Sequence, residues 1–157
     1  MTDPESFLAA LAGEWRLERE IEDRRARERG RFSGVATFRW EGGRLCYDEA
    51  GELRLPGRAP LAGARRYFWS VEEGRMQVRF ADGRPFHTFE LAARPATRHD
   101  CPPDTYAGTY DFSAWPDWTV VWDVTGPRKA YRARSLYQRN EGPACAPSGF
   151  ASRRGGN

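Results

Sequence analysis

The chain has 157 residues and a formal net charge of +3, one domain's worth of sequence and enough to bury a core without disulfides or a structural metal. Charged residues make up 30% of it, yet it carries 9 Phe, 6 Trp and 6 Tyr, which excludes a disordered chain and concentrates the apolar content in large side chains suited to strands. No apolar run approaches the roughly 18 residues of a membrane-crossing helix, so no membrane partner is expected.

Asp3-Pro4-Glu5 followed by Phe7, Leu8 and Leu11 reads as one short helix with a capping Asp and a Pro in its first turn, ended by Gly13. The period then changes to two. Trp15, Leu17, Arg19 and Ile21 alternate with Glu14, Arg16, Glu18 and Glu20, a half-buried strand with one charged member on its inner face. Phe32, Gly34, Ala36, Phe38 and Trp40 form the next inward face. Gly42-Gly43 leads to Leu45-Cys46-Tyr47, and Glu73-Gly74 separates Tyr67-Phe68-Trp69 from Met76 to Phe80. Asp82-Gly83, read as a type I′ turn, leads into Phe86 to Leu91. Pro116-Asp117 separates Tyr106–Phe112 from Trp118–Val124, and Gly126-Pro127 precedes a last strand from Lys129 to Arg139.

About nine strands joined by tight turns in sequence order predict an all-β domain over residues 1–140: a single closed antiparallel up-and-down barrel with a short N-terminal helix, since closure removes exposed sheet edges. Residues 141–157 show no periodicity and are expected to form a disordered tail.

Of the 25 basic residues only Lys129 is a lysine, a bias that most simply reflects a GC-rich coding sequence, so no nucleic-acid partner is expected. The run Arg24 to Arg31 follows Glu18, Glu20, Glu22 and Asp23 and reads as a solvated, dipolar turn. Cys46, Cys101 and Cys145 lack the spacing of a disulfide framework, and Phe7 to Ala12 is too short for a signal-peptide core. A reduced, cytoplasmic protein is expected.

Gly13-Glu14-Trp15 opens the first strand directly after the helix, and Tyr131, Ala133, Ser135, Tyr137 and Arg139 share one face of the last. Antiparallel pairing of these two strands lays Arg139 across the Trp15 ring and closes the barrel floor. The arrangement resembles the Gly-x-Trp and late-strand Arg of the calycin superfamily, the lipocalins and their relatives. Asp82 to His87, His99 to Tyr106 and Trp122 to Tyr131 are similar to motifs of an uncharacterised bacterial and fungal domain family of calycin-like barrels. The likeness spans roughly Phe7 to Arg139. That family commonly carries an acidic residue between the lysine and tyrosine of its last motif, where this chain has Ala130. The resemblance implies a fold and no established activity.

Alternation places His87 on an inner face with Phe89 and Leu91, and Tyr106 and Tyr110 on another with Gly108 and Phe112. With Arg19 these are the candidate ligand-binding residues, because polar tips inside a small barrel pair with each other, with water or with a ligand. Arg19 needs a carboxylate or an anion, and alternation shows no inward Asp or Glu, which points to an anionic ligand. His99 and Cys101 fall in a Pro-bounded connection. The bland reading makes His99 a loop residue above the barrel mouth, Cys101 a small buried hydrophobe, and Asp104 the opener of the next strand.

Binding of a small anionic or aromatic molecule inside the barrel is the leading expectation. Whether the protein is also an enzyme stays open: an isomerase, lyase or hydrolase would use His87, His99 and Asp104 for proton transfer. Haem or metal binding through His87 or His99 is a further alternative. No metal site is expected, His87, His99 and Cys101 being the weak candidate donors, and the sequence requires no cofactor. Oligomeric state is not legible.

Overall fold

A computed structural model describes residues 3–140. The predicted tail and Cys145 lie outside the described residues. One helix, α1 (Pro4–Leu11), precedes ten strands: β1 (Gly13–Asp23), β2 (Glu28–Glu41), β3 (Arg44–Arg54), β4 (Leu61–Glu72), β5 (Arg75–Phe80), β6 (Pro85–Phe89), β7 (Ala96–Cys101), β8 (Asp104–Asp111), β9 (Trp118–Thr125) and β10 (Ala130–Arg139). All ladders are antiparallel, in the order β6-β5-β4-β3-β2-β1-β10-β9-β8-β7. The barrel is therefore nearly closed. Its first and last strands pair in the middle of the sheet, and the seam falls between β6 and β7, where Thr97 Oγ1 donates 2.7 Å to the Thr88 carbonyl. No helix among the described residues is long and apolar enough to cross a membrane.

The tenth strand is β7, in the segment expected to be a connection. Its residues alternate Thr97, His99 and Cys101 with Arg98 and Asp100 and carry no large apolar side chain, so periodicity has nothing to detect. Among the described residues it pairs only with β8. His99 is thus a strand residue, and its ring packs across the seam against Phe86 (5.3 Å) and Phe80 (5.6 Å). Cys101 ends this edge strand and is exposed, not buried.

Turn chemistry also differs from expectation at one hairpin. Glu73 and Gly74 both have positive φ (54° and 75°), as a type I′ turn requires. At Asp82-Gly83 only the glycine does (φ 92°), so the expected I′ turn is absent. A longer loop forms instead, held by Gly83 N donating to the Phe80 carbonyl and by the Asp82 carboxylate, which accepts from Arg84 N at 3.0 Å. Pro85 has no N–H to give to the ladder, and the register shifts between Val78 and Arg79.

The helix plugs the end of the barrel where β1 begins. Asp3 caps it, accepting from Ser6 N at 2.9 Å, and Phe7, Leu8 and Leu11 are buried. Its last turn has no basic residue of its own, so its carbonyls are satisfied from the barrel. Trp15 Nε1 donates to the Leu11 carbonyl (2.8 Å), and Arg139 donates to the carbonyls of Ala12 (3.0 Å) and Ala10. Trp15 pairs with Arg139 in the β1–β10 ladder, and the guanidinium carbon lies 4.0 Å from the Trp15 ring. One residue thus joins helix, first strand and last strand. Gly13 allows the approach, because it has φ +123° and a Cβ there would lie 2.9 Å from Arg139 Nη1. Gly13→Ala is expected to cost about 1–3 kcal/mol, read from urea unfolding, since the backbone must hold a conformation reserved for glycine.

Candidate functional site

Inward-facing residues of the ladders enclose a cavity of about 870 Å³. Its rim includes Asp23, Glu28, Leu55, Leu61 and Lys129, at the strand ends opposite α1, so it opens at the end the helix does not plug. The deep wall is closed by buried aromatics: Trp69, Tyr110, Trp118 and Tyr137, with Trp118 and Tyr137 stacked at 3.9 Å. Toward the mouth the wall is made by Tyr67, Phe86, Tyr106, Trp122 and Tyr131, each half-buried. Phe86 stacks near-parallel on Trp122 (5.1 Å) and on Tyr67 (5.6 Å), so the three rings form an offset aromatic stack in the wall.

A charged network crosses the cavity wall. Arg19 forms a two-pronged bond with Glu49, Nη1 to Oε2 at 2.8 Å and Nη2 to Oε1 at 2.9 Å, and its Nε donates to Ser135 Oγ at 2.7 Å. Tyr47 Oη donates to Glu49 Oε1 (2.6 Å) and shares a 2.7 Å bond with Tyr137 Oη. The inward carboxylate that alternation did not show is therefore present. Glu49 follows Leu45 and Tyr47 on the inner face of β3, and its side chain is 2% exposed. Burial works against the Glu49 charge, but the bonds and charge of Arg19, with the Tyr47 hydroxyl, hold its pKa below the usual glutamate value. Burial pushes Tyr47 well above 10 and Tyr137 to about 12, so both phenols stay protonated.

His87 lies buried in the wall with Nε2 2.7 Å from Tyr110 Oη, and its Nδ1 has no partner among the described residues. Desolvation, with a smaller contribution from the charge of His99, lowers its pKa to about 3, so the ring is neutral where a free histidine titrates. Tyr106 Oη accepts from Lys129 Nζ (3.1 Å), which also pairs with Asp104 at 3.3 Å.

The structure thus gathers Arg19, His87, Tyr106 and Tyr110 along one cavity. It does not gather the proton-transfer candidates: no hydrogen bond joins any two of His87, His99 and Asp104 among the described residues. His87 is bonded to Tyr110, Asp104 to Lys129, and His99 is packed in the seam. Nor do three His, Cys, Asp or Glu side chains among the described residues cluster closely enough to hold a metal ion, so His87, His99 and Cys101 form no donor set. Sequence reasoning missed Glu49, Tyr47 and Arg65 as cavity residues. Extending the period of two from Leu45 and Tyr47, and back from Trp69 and Tyr67, finds Glu49 and Arg65.

A family of unknown function, DUF6314, matches residues 11–139. No curated protein matches the sequence. Among solved structures, an S-type phycobiliprotein lyase, CPES from Guillardia theta, superposes with a TM-score of 0.60 at 10% identity, covering 87% of this chain and 90% of that one. The fold is calycin-like.

Proposed function

The chain belongs to DUF6314, a family of unknown function, and we propose that it binds a small planar aromatic molecule in its cavity. The observation that carries this reading is the half-buried aromatic stack of Tyr67, Phe86 and Trp122 lining a cavity of about 870 Å³. That volume is in the range of small-molecule sites. A barrel that needed only a filled core would bury these rings as completely as it buries Trp15 and Trp118. Ring surface left in water forgoes roughly 25 cal/mol per Å², which an aromatic guest packed against the open side of the stack restores. The likeness of fold to a phycobiliprotein lyase is consistent with this reading.

The test is a fluorescence titration with the neutral probe N-phenyl-1-naphthylamine. Wild type is expected to show saturable enhancement at about one probe per chain. Ala133→Trp, placed on the cavity wall between Tyr131 and Ser135 on the inner face of β10, is expected to weaken it by on the order of tenfold or more with an unchanged circular-dichroism spectrum. Equal titrations in both proteins, or no saturation in wild type, overturn the reading. Native mass spectrometry of freshly purified protein would then show whether an extra mass, organic ligand or haem, travels with it.

A further inference from the structure

We infer that Arg65, and not Arg19, is the group that selects the ligand: the aromatic guest carries a carboxylate or similar oxyanion, held at the cavity mouth by the Arg65 guanidinium. The inference rests on the binding reading above and adds the charge of the ligand and the residue that reads it.

Three basic residues line the cavity: Arg19, Arg65 and Lys129. Arg19 is neutralised by both oxygens of Glu49, and Lys129 is paired with Asp104. Arg65 forms no ion pair among the described residues; its Nη1 makes only a long 3.5 Å bond to Tyr67 Oη. Glu49 stands directly across from Arg65 in the β3–β4 ladder, but both its oxygens are held by Arg19. The other cavity-lining carboxylates are engaged as well. Asp23 accepts from the backbone of Arg25 and Ala26, and Glu28 pairs with Arg58 at 2.5 Å.

An exposed arginine without an ion pair is ordinary on an outer surface. Arg65 differs in its face, since it lies with Gly63, Tyr67 and Trp69 on the inner side of β4. It is two residues from Tyr67, whose ring stacks on Phe86. A guanidinium beside such a stack matches a ligand whose ring packs against the stack and whose oxyanion takes the planar, two-pronged bond that arginine offers. Arg19 cannot serve this purpose without first releasing Glu49 and leaving a buried carboxylate unpaired.

Two probes with nearly the same aromatic body separate the charge from the cavity: the anion 1-anilinonaphthalene-8-sulfonate and neutral N-phenyl-1-naphthylamine. In Arg65→Gln, affinity for the anion is expected to fall by on the order of tenfold or more, while that for the neutral probe stays within about twofold. Raising salt should weaken anion binding in wild type and much less in the variant. Lys129→Gln, whose charge already has a counter-charge, is expected to have the smaller effect. Unchanged anion affinity in Arg65→Gln, loss of both probes together, or a larger loss in Lys129→Gln each overturns the assignment. Failure of the neutral probe to bind wild type would instead remove the cavity reading itself, so the two failures are told apart.

Discussion

Glu49→Gln is expected to destabilise the barrel by about 3–5 kcal/mol, a large part of what a domain of this size has to lose. The substitution keeps shape and leaves a hydrogen-bonding amide, yet it strands the charge of Arg19, whose side chain is only 13% exposed. It also takes from Tyr47 the anionic acceptor that holds its hydroxyl at 2.6 Å. Arg19→Met should also destabilise the barrel, because the buried Glu49 carboxylate loses both bonds of its two-pronged partner and keeps the Tyr47 hydroxyl. The double variant Arg19→Met/Glu49→Gln should be less destabilised than the sum of the singles, because neither charge then remains to be compensated. Chemical unfolding of the four proteins checks this. A Glu49→Gln protein within about 1 kcal/mol of wild type, or additive singles, would mean that cavity water already solvates the pair and that it contributes little.

The same pair shows how far the sequence reaches. Parity along one strand identified Arg19 as inward, and Tyr106, Tyr110 and His87 likewise, because each sits in a run where large apolar residues mark the inner face. By parity alone Arg19 needs an external anion, since its carboxylate lies on β3, a strand not adjacent to β1 in the sheet. Such pairing reaches over the intervening β2 on the inner face of the sheet, a relation that no period of two contains. The fold itself was more legible, because Gly42-Gly43, Glu73-Gly74 and Gly126-Pro127 mark strand ends locally and because Trp15 and Arg139 specify closure by chemistry as well as by position. The strand that escaped, β7, is the one whose side chains are polar on both faces and whose outer edge forms the seam. Arg65 was hidden for a related reason: Ala62, Gly63 and Ala64 before it offer no apolar contrast to set the face.

His87 is expected to give the protein an acid-sensitive stability limb that begins well above the carboxylate range. In the unfolded chain it takes up a proton near pH 6.5, whereas in the barrel it resists until about pH 3. As pH falls through this window the unfolded state binds a proton that the folded state does not, so stability drops, by about 1.4 kcal/mol per unit. Above pH 6.5 both states are neutral and the contribution is flat. Between pH 6.5 and 4.5 the loss attributable to this ring is therefore about 2–3 kcal/mol. Glu49 acts in a lower window. Its folded pKa is depressed, so the stability it contributes is present above the unfolded value near 4.5 and is lost as pH falls through the lower folded one. Urea unfolding at half-unit steps from pH 7.5 to 4.5 separates the two. His87→Phe is expected to lose about 1–3 kcal/mol at neutral pH, because Tyr110 Oη is left buried without its partner, and to abolish the slope between pH 6.5 and 4.5. Glu49→Gln should keep that slope. A His87→Phe protein with the wild-type slope would place the titrating group elsewhere and imply that the folded barrel admits a proton to the ring, as it would if the cavity brought water to Nδ1.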